Sequence, residues 1–131
     1  MTLSEYQQLA QRTSPTANTP RAEKLLNGIL GVTGEAGECS DYFKKCRYQG
    51  HRWDAAHMAE EIGDVLWYCA EMAAGLGVDL ETIAEANIAK LRHRYPDKYT
   101  SEHSVQRDSE ADTETVREFI YKSYCEGGDI I

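Results

Sequence analysis

Apolar residues recur alternately four and three positions apart in three stretches of this chain. Leu25, Ile29, Val32, Ala36, Cys39, Phe43 and Cys46 form one series; Met58, Ile62, Val65, Cys69, Met72 and Leu76 form a second; Ala84, Ile88, Leu91 and Tyr95 form a third. That alternation keeps side chains on one side of an α-helix, so each stretch predicts a helix with a single apolar seam. Punctuation sets the expected ends. A first helix is predicted from Ser4, where Ser4 and Gln7 have capping-box spacing, to about Thr13, before "SPTANTP" breaks it. The second is predicted from about Arg21 to Tyr48 and the third from about Asp54 to Leu76, closing at the Gly75/Gly77 pair. The fourth, with Asp79 as N-cap, is expected to end at Tyr95, ahead of Pro96. No persuasive strand pattern occurs, so the expected fold class is all-α.

Over much of each seam the residue just before the apolar position is polar. These residues are Glu35, Glu38, Tyr42 and Lys45 in the second helix, Glu61, Asp64, Tyr68 and Glu71 in the third, and Asn87, Lys90 and Arg94 in the fourth. One residue is about 100° of helix rotation, so each polar stripe borders its seam instead of lying opposite it. Glu35, Glu38, Glu61 and Asp64 thus stand as two i, i+3 pairs on two helices that a bundle brings together. Two readings are open: a solvated acidic surface, or a metal site. The offset toward the seam favours the metal site, as do Gly34, Gly37 and Gly63 beside the carboxylates, which leave room for a ligand or a close helix crossing. Four oxygen ligands without a histidine suit Mg²⁺, or Mn²⁺, better than zinc.

Charge and cysteine content narrow the functional classes. The 131 residues carry a formal net charge of −8, which argues against a protein that grips nucleic-acid backbones. Residues 101–131 hold eight acidic and three basic side chains, so they are expected to form an acidic C-terminal extension beyond a domain spanning 1–100. Only "TETVREFIYKSY" within the extension is expected to be helical. No apolar run is long enough for a membrane span, and the first residues lack signal-peptide character; the expected location is cytoplasmic, with no membrane partner. Cys39, Cys46, Cys69 and Cys125 make no C-x-x-C pair and are expected to be reduced thiols.

"GVTGEAGECSDYFKK", "EEIGDVLWYCAEMAAGLGVDL" and "ANIAKLRHRYP" together resemble the MazG-like branch of the all-α nucleoside triphosphate pyrophosphohydrolases. The family signature of Glu-x-x-Glu, spacer and Glu-x-x-Asp is matched by Glu35, Glu38, Glu61 and Asp64, and the likeness covers about residues 4–100. The resemblance implies a helical bundle with four core helices in which those carboxylates ligate Mg²⁺. It further implies that Asn87, Lys90 and Arg94 face the phosphates and that Tyr68 is an aromatic near the substrate. The implied reaction cleaves a nucleoside triphosphate between its α- and β-phosphates, with Mg²⁺ orienting the phosphates and activating water, Lys90 and Arg94 stabilising the leaving pyrophosphate, and Glu35 or Glu38 holding or deprotonating the water.

Other residues carry weaker expectations. Tyr6, Gln7 and Thr13 resemble a first helix that helps line the base pocket, with surface or packing roles as the alternative. His51, Arg52 and Trp53 lie in the turn between the carboxylate helices and either touch substrate or simply form that turn. Trp67 is expected to pack, Lys44 and Lys45 to balance the acidic cluster, and His57, His93 and His103 to be surface residues. Two exposed seams on a chain this small, with the resemblance, predict a homodimer or a dimer of dimers. Alternatives are a related pyrophosphohydrolase acting on phosphoribosyl-ATP or dUTP, a di-metal carboxylate redox bundle, and a non-catalytic helical interaction protein. The redox bundle calls for Glu-x-x-His, and here the fourth positions are Glu38 and Asp64.

Overall fold

A computed structural model describes residues 1–123, which form six helices and no strand. They are α1 (Leu3–Gln11), α2 (Arg21–Tyr48), α3 (Ala55–Leu76), α4 (Leu80–Arg94), α5 (Ser101–Val105) and α6 (Ser109–Ser123). Cys125, and Tyr124 at the end of "TETVREFIYKSY", lie outside the described residues. Cys39, Cys46 and Cys69 are free thiols.

The helix ends follow their local chemistry, with four departures from expectation. The capping box of α1 is made by Thr2 and Glu5, not Ser4 and Gln7: the Thr2 hydroxyl accepts from the Glu5 amide at 3.1 Å, and Glu5 accepts from the Thr2 amide at 2.8 Å. Gln7 is unavailable for capping because it is buried, donating to the Val78 carbonyl and accepting from the Leu80 amide. Asp79 holds the N-cap position of α4 but makes no capping hydrogen bond. In the extension, α5 is an additional short helix, capped by Thr100. Helix α6 starts earlier than its apolar pattern suggested, because Asp108 accepts from the amides of Glu110 and Ala111.

Helices α2 and α3 form a long antiparallel hairpin, with α1 against α3 and α6 along α4. Two glycines set the closeness of the hairpin. A side chain at Gly28 would collide with Met72, and one at Gly75 with the backbone of Leu25. The α3 terminus closes on Gly77, which adopts φ 74°. Arg21 donates to the Gly75 carbonyl at 3.1 Å and to the Leu76 carbonyl, so a cation sits where α3 presents its unsatisfied carbonyls and negative dipole end.

The core of this chain is thin. Its buried apolar residues are Ala10, Ala70, Ala73, Val78, Leu80 and Ala86, mostly small side chains. Much of the predicted seams is open, with Ile29, Phe43, Ile62 and Ile88 exposed and Leu26 and Leu30 beside them. The largest fully buried side chain among the described residues is Glu71, a polar-stripe residue with no exposed surface. Its carboxylate accepts from Gln11 Nε2 at 2.7 Å, from Ser14 Oγ at 2.8 Å and from the Thr16 hydroxyl. Burial raises its pKa, but the hydrogen bonds from Thr16, Gln11 and Ser14, aided by the charge of Lys24, outweigh it and hold the group below its ordinary value. The "SPTANTP" breaker is thereby tied to the C-terminal third of α3.

Candidate metal centre

The hairpin register decides which carboxylates meet. A side chain at Gly31 would run into the Tyr68 ring, and the Tyr42 and His57 rings meet edge-on with centroids 4.3 Å apart. Stepping between these two contacts along antiparallel helices puts Glu35 opposite Asp64 and Glu38 opposite Glu61. The oxygens of Glu35, Glu38 and Glu61 accordingly lie within 4.8 Å of one another, with Glu61 buried, Glu35 partly so and Glu38 exposed. Asp64 stands outside that triple yet close enough to act on it. The Glu35 pKa is raised, first by loss of solvation and then by repulsion from Glu38, Asp64 and Glu61. No cation offsets these contributions at Glu35.

The space beside the carboxylates is open. A Cβ added at Gly34, Gly37 or Gly63 would meet nothing within 4 Å. The close helix crossing is made by Gly28, Gly31 and Gly75 instead, so Gly34, Gly37 and Gly63 border space and not a neighbouring helix. Converging, mutually repelling carboxylates with oxygen-only donors and free volume fit a hard divalent cation, whose charge would remove the repulsion.

The residues expected around the phosphates are distributed differently. Tyr68 covers Gly31 and packs edge-on against Trp67, centroids 4.9 Å apart. Asn87 and Lys90 line a groove of about 460 Å³ with Leu66, Cys69 and Val116, between α3, α4 and α6. Arg94 is engaged by Asp112 of α6, with Nε donating to Oδ2 at 3.0 Å and Nη2, on the same edge of the guanidinium, donating to the same oxygen. Among the described residues no ion pair joins Asn87, Lys90 or Arg94 to the carboxylate cluster. Of the α1 candidates, Gln7 holds the α3–α4 turn, and Thr13 accepts from the Trp67 indole at 2.9 Å. Tyr6 lies near Asp64 and has a raised pKa, chiefly from burial and then from that charge. Lys44 and Lys45 both pair with Asp41, whose pKa is lowered to about 2 by those hydrogen bonds.

One neighbour of the site was overlooked in the sequence. His57 stands with Nε2 3.5 Å from Glu61 Oε1 and Nδ1 3.5 Å from Glu60 Oε2. It belongs with the site and not with the general surface. The i, i+4 spacing of His57 and Glu61 was the available signal.

Comparisons with known proteins agree with this geometry. The family profile described as the MazG nucleotide pyrophosphohydrolase domain matches residues 24–99, which hold all four carboxylates and Asn87, Lys90 and Arg94. A similar protein is the "Gene 37 protein" of Mycobacterium phage L5, 38% identical over 79 residues, covering 55% of this chain and 67% of the phage protein. No solved structure matches the chain significantly. With more than half of its length matched, and the paired carboxylates of α2 and α3 inside the match, the chain belongs to the MazG nucleotide pyrophosphohydrolase domain family.

Proposed function

We propose that the chain hydrolyses a nucleoside triphosphate, NTP or dNTP, between the α- and β-phosphates to a monophosphate and pyrophosphate, as a housekeeping enzyme of the nucleotide pool. The observation that carries this reading is the meeting of Glu35, Glu38 and Glu61 beside open space, with Asp64 in reach of Glu35. Glu35, Glu38, Glu61 and Asp64 would hold Mg²⁺, with Mn²⁺ as a substitute. Such a cation, when bound, supplies charge neutralisation of the triphosphate and makes water a better nucleophile.

The chain's own residues account for the remaining steps. Glu35 or Glu38, on the same face of α2 beside the open space, is placed to hold the attacking water or accept its proton. Glu61, buried and with His57 at 3.5 Å, holds its oxygens in one orientation. Lys90 and Arg94 stabilise charge gathering on the leaving pyrophosphate, Asn87 hydrogen-bonds phosphate oxygens, and Tyr68 borders the substrate. A second copy of the chain covers the exposed faces of α2 and α3. The argument is the thin core: one chain leaves Leu30, Ile62 and Ile29 at 66%, 57% and 47% exposure, a larger apolar surface than a soluble monomer usually presents.

Incubation with Mg²⁺ and a panel of canonical and modified NTPs and dNTPs, with product identification, tests the reaction. Pyrophosphate and a monophosphate are the expected products. Orthophosphate with a diphosphate would refute the assignment.

A further inference from the structure

Beyond the carboxylates, the α2–α3 hairpin ends in a set of rings. The Tyr42 ring stacks on Trp53 with centroids 5.6 Å apart and an interplanar angle of 27°. Phe43 meets Trp53 edge-on at 6.2 Å, and His57 meets Tyr42 edge-on at 4.3 Å. The set is held from behind. The Tyr42 hydroxyl accepts from the Asp54 amide at 2.6 Å and donates to the Asp54 carbonyl at 3.2 Å, which spends the polar end of the ring on fixing the turn. Trp53 and Phe43 nonetheless remain 48% and 55% exposed. Rigidly backed, exposed aromatic faces are what a planar ligand stacks on.

Their position identifies the ligand. Tyr42 is one helical turn from Glu38, and His57 is one turn from Glu61 and within 3.5 Å of its carboxylate. In the proposed reaction the α-phosphate is the group attacked, so it lies at the carboxylates, and a single ribose separates it from the base. The base must therefore lie about one to two turns from the cluster. Toward the other end, Tyr68 and Met72 pack against the small residues Gly31 and Gly28 across the hairpin. The exposed ring faces, those of Trp53 and Phe43, lie at the Tyr42 end.

We propose that the nucleobase stacks on the exposed faces of Trp53 and Phe43, carried by Tyr42 at the turn end of the carboxylate hairpin. The inference rests on the proposed hydrolysis and deepens it. Stacking engages the ring face common to all bases and reads no hydrogen-bonding edge, so it selects weakly between bases and favours the larger purines.

The test uses the full chain with Trp53→Ala, Trp53→Phe and Phe43→Ala, measuring KM and kcat for purine and pyrimidine triphosphates. Tripolyphosphate serves as a base-free competitive inhibitor, and size-exclusion chromatography with light scattering monitors assembly. Trp53→Ala is expected to raise KM for a purine triphosphate about tenfold or more while leaving the tripolyphosphate inhibition constant and the assembly unchanged, and Trp53→Phe is expected to retain most of the affinity. An unchanged KM, a parallel loss of tripolyphosphate binding, or a change of oligomeric state would overturn the proposal; the last would make the rings a subunit contact. Should the wild type hydrolyse no triphosphate, the reaction falls but the stacking site is still read directly, by nucleoside monophosphate titration of Trp53 emission in a Trp67→Phe background. Quenching there supports it and its absence rejects it.

Discussion

Arg94 of α4 and Asp112 of α6 form a two-point ion pair, with Asp112 only 5% exposed. The pair fastens a helix of the acidic extension to the helix that carries Asn87, Lys90 and Arg94, and joins a residue inside the family match to one beyond it, since the match ends at residue 99. Asp112→Asn is expected to lower Tm and to speed amide exchange along α6 while α2 and α3 keep their protection. Equal exchange in α6 of the two proteins would show that the pair does not hold the extension.

The same pair separates the two cations of α4. Lys90→Ala and Arg94→Ala are each expected to lower kcat/KM on the order of tenfold, as charge-assisted phosphate contacts are worth about 1.5–3 kcal/mol. Arg94→Ala should also lower Tm, because Asp112 loses its partner, whereas Lys90→Ala should leave it unchanged. Full activity in both variants would remove α4 from the phosphate site.

Glu71 governs a pH dependence. Its folded pKa lies below its ordinary 4.5, because the hydrogen bonds it accepts outweigh the effect of burial. Its stabilising contribution is therefore complete above that value and is lost as pH falls through the depressed folded pKa. Glu71→Gln replaces an acceptor with an amide facing donors, and is expected to cost about 2 kcal/mol near neutral pH. Urea melts of wild type and variant should differ near pH 7 and converge as pH falls below 4.5 and through the depressed folded pKa. A constant difference across that range would rule out the ionised carboxylate as the source.

The repulsion among Glu35, Glu38, Glu61 and Asp64 predicts how metal and stability are linked. In EDTA, Glu61→Gln and Asp64→Asn are expected to melt no lower than wild type, since each removes a charge from the cluster. Millimolar Mg²⁺ should raise the wild-type Tm by several degrees and raise both variants by less. Identical shifts in all three proteins would contradict a shared metal site.

Ile62, 57% exposed on α3 next to Glu61, tests the covered face. Ile62→Glu is expected to yield a monomer of lower Tm in light scattering, where the wild type is a dimer or larger. A monomeric wild type would end that proposal.

The four-three alternation of apolar residues was enough to predict the three long helices, since helix geometry alone puts such residues on one side. The offset of Glu35, Glu38, Glu61 and Asp64 from the seam was equally local, being fixed by rotation per residue. Partners across space were not local. The hairpin register, set by Gly28 and Gly75 admitting Met72 and Leu25, decided that Glu38 faces Glu61 and that Tyr42 faces His57. One stripe position, Glu71, became a buried structural anchor because the 14–16 loop folded over it, while Asp64, about two turns away, stayed exposed. Arg94 turned to Asp112 because α6, whose apolar pattern is weak, docked along α4. Periodicity reports which face a residue occupies; only packing decides what comes to lie against that face.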